Sequence, residues 1–149
     1  MSNKKKQRAR ELAFFILFST DVGRHDLDDV LRGVLDSDEA EGLRKDIVEK
    51  VLAWKKNSDF IDRLIDTYLN KGTISNLASV AKAALRLGFS EMEYISDVPP
   101  EVVINEAVEL AKTYGDPAIA SFVNGVMDAR FKALKSKKVT GNDKKRRKC

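Results

Sequence analysis

Apolar residues recur at intervals of three and four along most of the chain, which is the spacing of one face of an α-helix. Strict alternation of apolar and polar residues, the pattern of a half-buried strand, is missing. The pattern predicts seven helices, and the first, at about residues 6–22, has little polar face. We therefore expect an all-α fold in which this first helix packs on several sides.

Capping residues and glycines predict where the helices begin and end. Side chains or prolines suited to a helix start lie at Asp26, Asp38, Ser58, Pro100 and Asp116, and stop signals lie at Gly72 and Gly115. The last apolar stripe ends near residue 134 and is followed by KSKKVTGNDKKRRKC, which has almost nothing to bury. We expect one helical domain over residues 1–134 and a disordered basic tail over residues 135–149.

Charge is segregated along the 149 residues. The overall charge is +4, but residues 1–10 carry about +5 and residues 132–149 about +8, so the part between them carries about −9. Basic ends on an acidic body are typical of a protein that binds a polyanion, although solubilising ends would look the same. The single cysteine is the last residue, which excludes an intrachain disulfide. No segment is long enough to span a bilayer, so we expect a cytoplasmic protein without a membrane partner.

Catalytic motifs are missing from the sequence. It contains neither GxxxxGK nor GxGxxG, and its single histidine, His25, has no cysteine cluster with which to bind a metal. Asp59, Asp62 and Asp66 share one helical face, which a metal-dependent nuclease could use, but solvated helix faces commonly show this spacing. We expect no catalytic residues, no metal and no cofactor, and therefore no enzyme.

Three segments of the chain carry long, specific sequence motifs. Residues 97–128 read DVPPEVVINEAVELAKTYGDPAIASFVNGVMD, residues 8–11 read RARE, and residues 80–92 read VAKAALRLGFSEM. These segments resemble those of the NusB family. The resemblance extends from about residue 8 to about residue 134, which is nearly the whole predicted domain. It implies an all-helical protein of two small packed helical bundles without enzyme activity.

The resemblance also implies partners. Members of the NusB family bind the single-stranded box A element of ribosomal RNA leaders together with NusE, a small-subunit ribosomal protein, within the RNA polymerase antitermination complex. Family members are monomers or dimers, so a homodimer is left open. A competing hypothesis is a helical protein–protein adaptor whose basic ends give only non-specific affinity for RNA.

The family's RNA-binding residues carry over to two groups of positions. Basic residues near the N-terminus would contact phosphates, although two arginines separated by one residue cannot face the same way on a helix. Two aromatic residues would stack on unpaired bases, although both also lie on apolar stripes and could belong to the core. The expected RNA-binding residues are Lys4, Lys5, Lys6, Arg8, Arg10, Phe18 and Phe122.

Other signature positions carry separate expectations. Asn105 and Asn124 match the phrases INEA and FVNG, and we expect them to join helices through buried hydrogen bonds. Ala81, Ala118 and Ala120 replace polar residues found in other family members. Contacts that those polar side chains would make are therefore not expected here.

Overall fold

The structure is a computed structural model that describes the backbone of residues 2–140 and the side chains of residues 2–136. Over residues 2–140 the chain forms seven α-helices and two short 3-10 turns, at Asp38–Ala40 and Ile74–Asn76, and no strand. The predicted all-α fold is confirmed. The helices are α1 (Asn3–Gly23), α2 (Leu27–Leu35), α3 (Arg44–Lys56), α4 (Ser58–Asp66), α5 (Ser79–Tyr94), α6 (Pro100–Tyr114) and α7 (Pro117–Thr140).

The helices form two bundles that share α5. Helix α1 packs on α2 and α3, whereas α6 and α7 pack on each other, and α5 contacts α1, α3, α4, α6 and α7. Close packing around α5 is helped by small residues such as Ala84 and Gly88, both of which are buried. A Cβ at Gly88 would lie 2.6 Å from Cε of Met127, so the glycine leaves room for this side chain of α7.

Several predicted helix starts are confirmed. The Asp26 carboxylate accepts a hydrogen bond from the Asp28 backbone N–H at 2.8 Å, and Asp116 accepts one from Ile119 at 2.8 Å. The predicted start at Asp38 is wrong, because residues 38–40 form a 3-10 turn. Gly42 then turns the chain with a φ of 76°, a conformation that favours glycine, and α3 begins only afterwards.

Both ends of the helical domain extend further than the pattern predicts. Helix α1 begins at Asn3, because the Ser2 hydroxyl accepts a hydrogen bond from the Lys5 backbone N–H at 3.2 Å. Helix α7 continues to Thr140, six residues past the predicted domain end at residue 134. The rest of the predicted tail, residues 141–149, lies outside the described residues. No helix in the described part is both long and apolar enough to cross a membrane.

The C-terminal end of α1 is tied to the start of α5. Asp21 accepts hydrogen bonds from Oγ of Ser79 at 2.5 Å and from Nζ of Lys82 at 3.2 Å. Burial acts to raise the pKa of Asp21, but the hydrogen bonds from Ser79 and Lys82 outweigh it, so the pKa lies below its ordinary value. This junction holds one end of α1 against the helix that both bundles share.

Candidate nucleic-acid interface

The first two turns of α1 carry three exposed lysines. Successive helix residues are about 100° apart, so the three side chains point to different sides. Lys4 lines a groove between α1 and α6, Lys5 lies beside Gly42, and Lys6 lines a groove with Asp97. The first turn has no acidic residue, and positive charge there opposes the helix dipole, so these lysines do not stabilise α1.

Arg8 lies one turn further along, where it is held by two carboxylates. Its Nη1 donates to Oε1 of Glu11 at 2.9 Å, and its Nη2 lies 3.0 Å from Oε2 of Glu39 in the first 3-10 turn. The hydroxyl of Tyr114 donates to the other oxygen of Glu11 at 3.1 Å. The hydrogen bond to Glu11 raises the pKa of Arg8, and the charge of Glu39 adds to this effect. Arg8 remains partly exposed, with 42% of its side chain accessible.

Arg10 has a different environment from the other predicted basic residues. Its Nε and Nη2 donate to the two carboxylate oxygens of Glu91 on α5, at 2.9 and 3.0 Å, and both side chains are buried. Burial acts to lower the pKa of Arg10, but the bonds to Glu91 outweigh it, so the pKa is raised and the charge is retained. The structure therefore places this guanidinium in the core, with its side chain only 6% exposed.

An apolar groove of about 700 Å³ lies between α1 and α2, and we call it the aromatic groove. Phe18 lies half-buried in it, with its ring 6.0 Å from the ring of Phe14, which in turn stacks on Tyr114 at 5.3 Å. Phe15 is 51% exposed at the same groove, and Arg8 lies on its rim. The structure thus brings two of the predicted residues, Arg8 and Phe18, to one surface. Both the core and the base-stacking interpretation of Phe18 agree with its half-buried position.

The remaining signature residues lie on α6 and α7. Phe122 is 40% exposed and is not part of the lining of the aromatic groove. Asn105 and Asn124 are both exposed, so the expectation that they join helices through buried hydrogen bonds is wrong. The core faces of α6 and α7 consist of other residues, among them Val103 and Val123. A helical wheel of residues 101–114 could have placed Asn105 opposite the apolar face.

Comparison with known proteins assigns the chain to a family. The model of the NusB family matches residues 7–132. The chain belongs to the NusB family. This confirms the resemblance found in the sequence, and the matched region contains Arg8, Phe18 and Phe122 but begins after Lys6.

Individual NusB proteins are also similar to this chain over most of its length. The transcription antitermination protein NusB of Oceanobacillus iheyensis is 39% identical over 122 residues, covering 82% of this chain and 94% of that protein. The structure of T. maritima NusB is 35% identical and covers 83% of this chain and 88% of its own, with a TM-score of 0.75. A structure of the antitermination factors NusB and NusE in complex with dsRNA is 28% identical, covers 89% of this chain and 99% of that chain, and has a TM-score of 0.74.

Proposed function

We propose that this protein is a transcription antitermination factor that binds the single-stranded box A element of ribosomal RNA leaders together with NusE. The observation that carries the proposal is membership of the NusB family over residues 7–132, combined with exposed basic side chains at the start of α1. Further support comes from the similar NusB chain that is bound to NusE and dsRNA.

The proposed RNA contacts divide by chemistry. Lys4, Lys5, Lys6 and Arg8 contact phosphates, which contribute affinity without reading the sequence. Phe18 and Phe122 stack on unpaired bases, as is usual for recognition of single-stranded RNA. Arg10 is left out of the proposed contacts because its side chain is buried and its Nε and Nη2 are bonded to Glu91.

The proposed mechanism is additive recognition within an assembly. The protein contributes phosphate and base contacts, NusE binds another part of its surface, and the pair joins the RNA polymerase antitermination complex. Neither partner then needs to bind RNA tightly alone, since linking two contacts raises overall affinity without new interactions. The protein acts by binding and not as an enzyme.

The test measures binding of the full chain to a short single-stranded box A RNA and to a scrambled RNA of equal length, with and without NusE, across a salt series. Four phosphate contacts predict a slope of about −3 in a plot of log affinity against log salt concentration. The proposal expects a preference for box A that increases when NusE is added. Equal binding to both RNAs under all conditions would contradict it.

Charge reversal tests whether RNA binds at the lysines of α1 or is attracted equally by any exposed basic residues. The variant Lys4→Glu, Lys5→Glu and Lys6→Glu is expected to lose most RNA affinity while keeping its helical circular dichroism spectrum. A matched control reverses Lys56, Arg63 and Lys71, which are also exposed. Lys56 is the last residue of α3 and lies about 18 Å along that helix from its first residue, Arg44. The adaptor hypothesis predicts instead that both triple variants bind RNA equally.

A further inference from the structure

Among residues 2–136, Arg8 is the one proposed phosphate contact that is already paired with carboxylates. It is bonded to Glu11 on its own helix and paired with Glu39 from the first 3-10 turn. Both acids lie on the rim of the aromatic groove, together with Phe18. A carboxylate and a phosphate offer the same kind of oxygen to a guanidinium, so an RNA phosphate must compete with one of these acids.

The two acids are not equivalent. Glu11 is fixed at both oxygens, because Oε1 accepts from Arg8 and Oε2 accepts from Tyr114. Glu39 is 64% exposed, and among residues 2–136 Arg8 is its one ion-pair partner. Glu39 is therefore the acid that an incoming phosphate can displace at small cost.

We propose that Glu39 is a carboxylate latch that occupies Arg8 in the free protein and is displaced by an RNA phosphate. The inference rests on the proposed function and adds to it a residue that sets RNA affinity. During the exchange Glu11, held by Tyr114, keeps the guanidinium oriented at the rim of the aromatic groove.

The latch raises the number of contacts that an RNA needs in order to bind. An isolated phosphate gains little from replacing Glu39, because one charge-assisted contact is exchanged for another. An RNA that also stacks a base on Phe18, at the same groove, gains that stacking energy in addition. Displacing Glu39 lowers the affinity of every RNA that contacts Arg8 by the same factor, so an RNA with several simultaneous contacts still binds where an isolated phosphate does not.

The test compares Glu39→Gln with Glu41→Gln in the full chain, using the short box A RNA with NusE. Glu41 is the matched control, because it is exposed, lies two residues away and makes no ion pair with residues 2–136. Both substitutions remove one negative charge, but only Glu39→Gln removes a carboxylate that is paired with Arg8. Exposed ion pairs are weak, so we expect Glu39→Gln to raise RNA affinity about two- to fivefold and Glu41→Gln to raise it less.

The same pair of substitutions is then repeated in an Arg8→Gln background. There we expect the advantage of Glu39→Gln over Glu41→Gln to disappear, as a double-mutant cycle requires of a contact between two residues. Equal effects of the two substitutions in the wild-type background, or an advantage that persists without Arg8, would overturn the latch but leave the proposed function intact. Failure of the wild-type protein to bind box A RNA, with and without NusE, would overturn both.

Discussion

Replacement of Arg10 is expected to destabilise the fold, in contrast to replacement of its neighbours in the basic run. The side chains of Arg10 and Glu91 are only 6% and 1% exposed, and their two hydrogen bonds measure 2.9 and 3.0 Å. Removing one partner leaves the other charge buried without compensation, which costs about 3–5 kcal/mol. Arg10 also forms a longer ion pair with Glu106, at 3.8 Å, which the same substitution removes. We therefore expect Arg10→Met to lower the free energy of unfolding by about 3–5 kcal/mol.

Urea unfolding followed by circular dichroism measures this loss. Arg8→Met is the matched control, since Arg8 is partly exposed and its ion pairs are worth at most about 1 kcal/mol each. The double variant Arg10→Met with Glu91→Leu removes both charges, and we expect it to be more stable than Arg10→Met alone. A loss below about 1 kcal/mol in Arg10→Met, or a double variant whose loss equals the sum of the two single losses, would refute the reasoning.

Three further predictions follow from single sites. The folded-state pKa of Asp21 lies below its ordinary value, so the ionised side chain stabilises the fold above about pH 4, and this stabilisation is lost as the pH falls through the folded pKa. Urea unfolding at several pH values should therefore show that the stability difference between wild type and Asp21→Asn becomes smaller in acid. Gly33 is exposed within α2 and a Cβ there meets nothing within 4 Å, so Gly33→Ala should stabilise the protein by about 0.5–1 kcal/mol. Gly72 has a φ of 69°, which disfavours any side chain, so Gly72→Ala should destabilise the protein by about 1–2 kcal/mol. Thermal melting measures both changes. Phe122 is 40% exposed, so Phe122→Ala should cost about 1–3 kcal/mol of RNA-binding free energy with little change in melting temperature; unchanged RNA affinity would remove Phe122 from the contacts.

Local signals predicted the fold well, because a helix cap depends on a few neighbouring residues. Asp26 and Asp116 act within three residues of themselves, and the sequence placed both correctly. Asp38 failed because a glycine with positive φ at residue 42 turns the chain before a helix can form, and cap preference alone does not include that turn. The all-α class was predictable for the same local reason, since it rests on periodicity.

The candidate site was less predictable, because its decisive contacts join distant parts of the chain. Arg10 and Glu91 are 81 residues apart, and Arg8 meets Glu39 from another element. The sequence did contain one relevant signal: Arg10 lies three, four and seven residues before Ala13, Phe14 and Leu17, all of which are buried. That spacing puts Arg10 on the core stripe of α1, but only the structure shows that Glu91 is there to pair with it.

Arg10 stabilises the fold, whereas Arg8 is a proposed RNA contact, and the two residues are close together on α1. The two residues are about 200° apart on α1, so burying one exposes the other. The buried residues of α1, to which Arg10 belongs, set the rotation of this helix about its axis, and Arg8 then points towards the surface. A substitution at Arg10 should therefore change the stability of the fold, whereas a substitution at Arg8 should change RNA affinity.

A comparison of Arg10→Lys with Arg8→Gln separates the effect on fold stability from the effect on RNA affinity. Arg10→Lys keeps the charge but cannot reproduce the bidentate geometry, so we expect lower stability and an RNA affinity within about twofold of wild type at a temperature where the variant is folded. Arg8→Gln should show the reverse, with stability nearly unchanged and RNA affinity reduced by the loss of one phosphate contact. If Arg10→Lys were as stable as wild type and Arg8→Gln were not, the assignment of one arginine to the core and the other to the RNA surface would have to be exchanged.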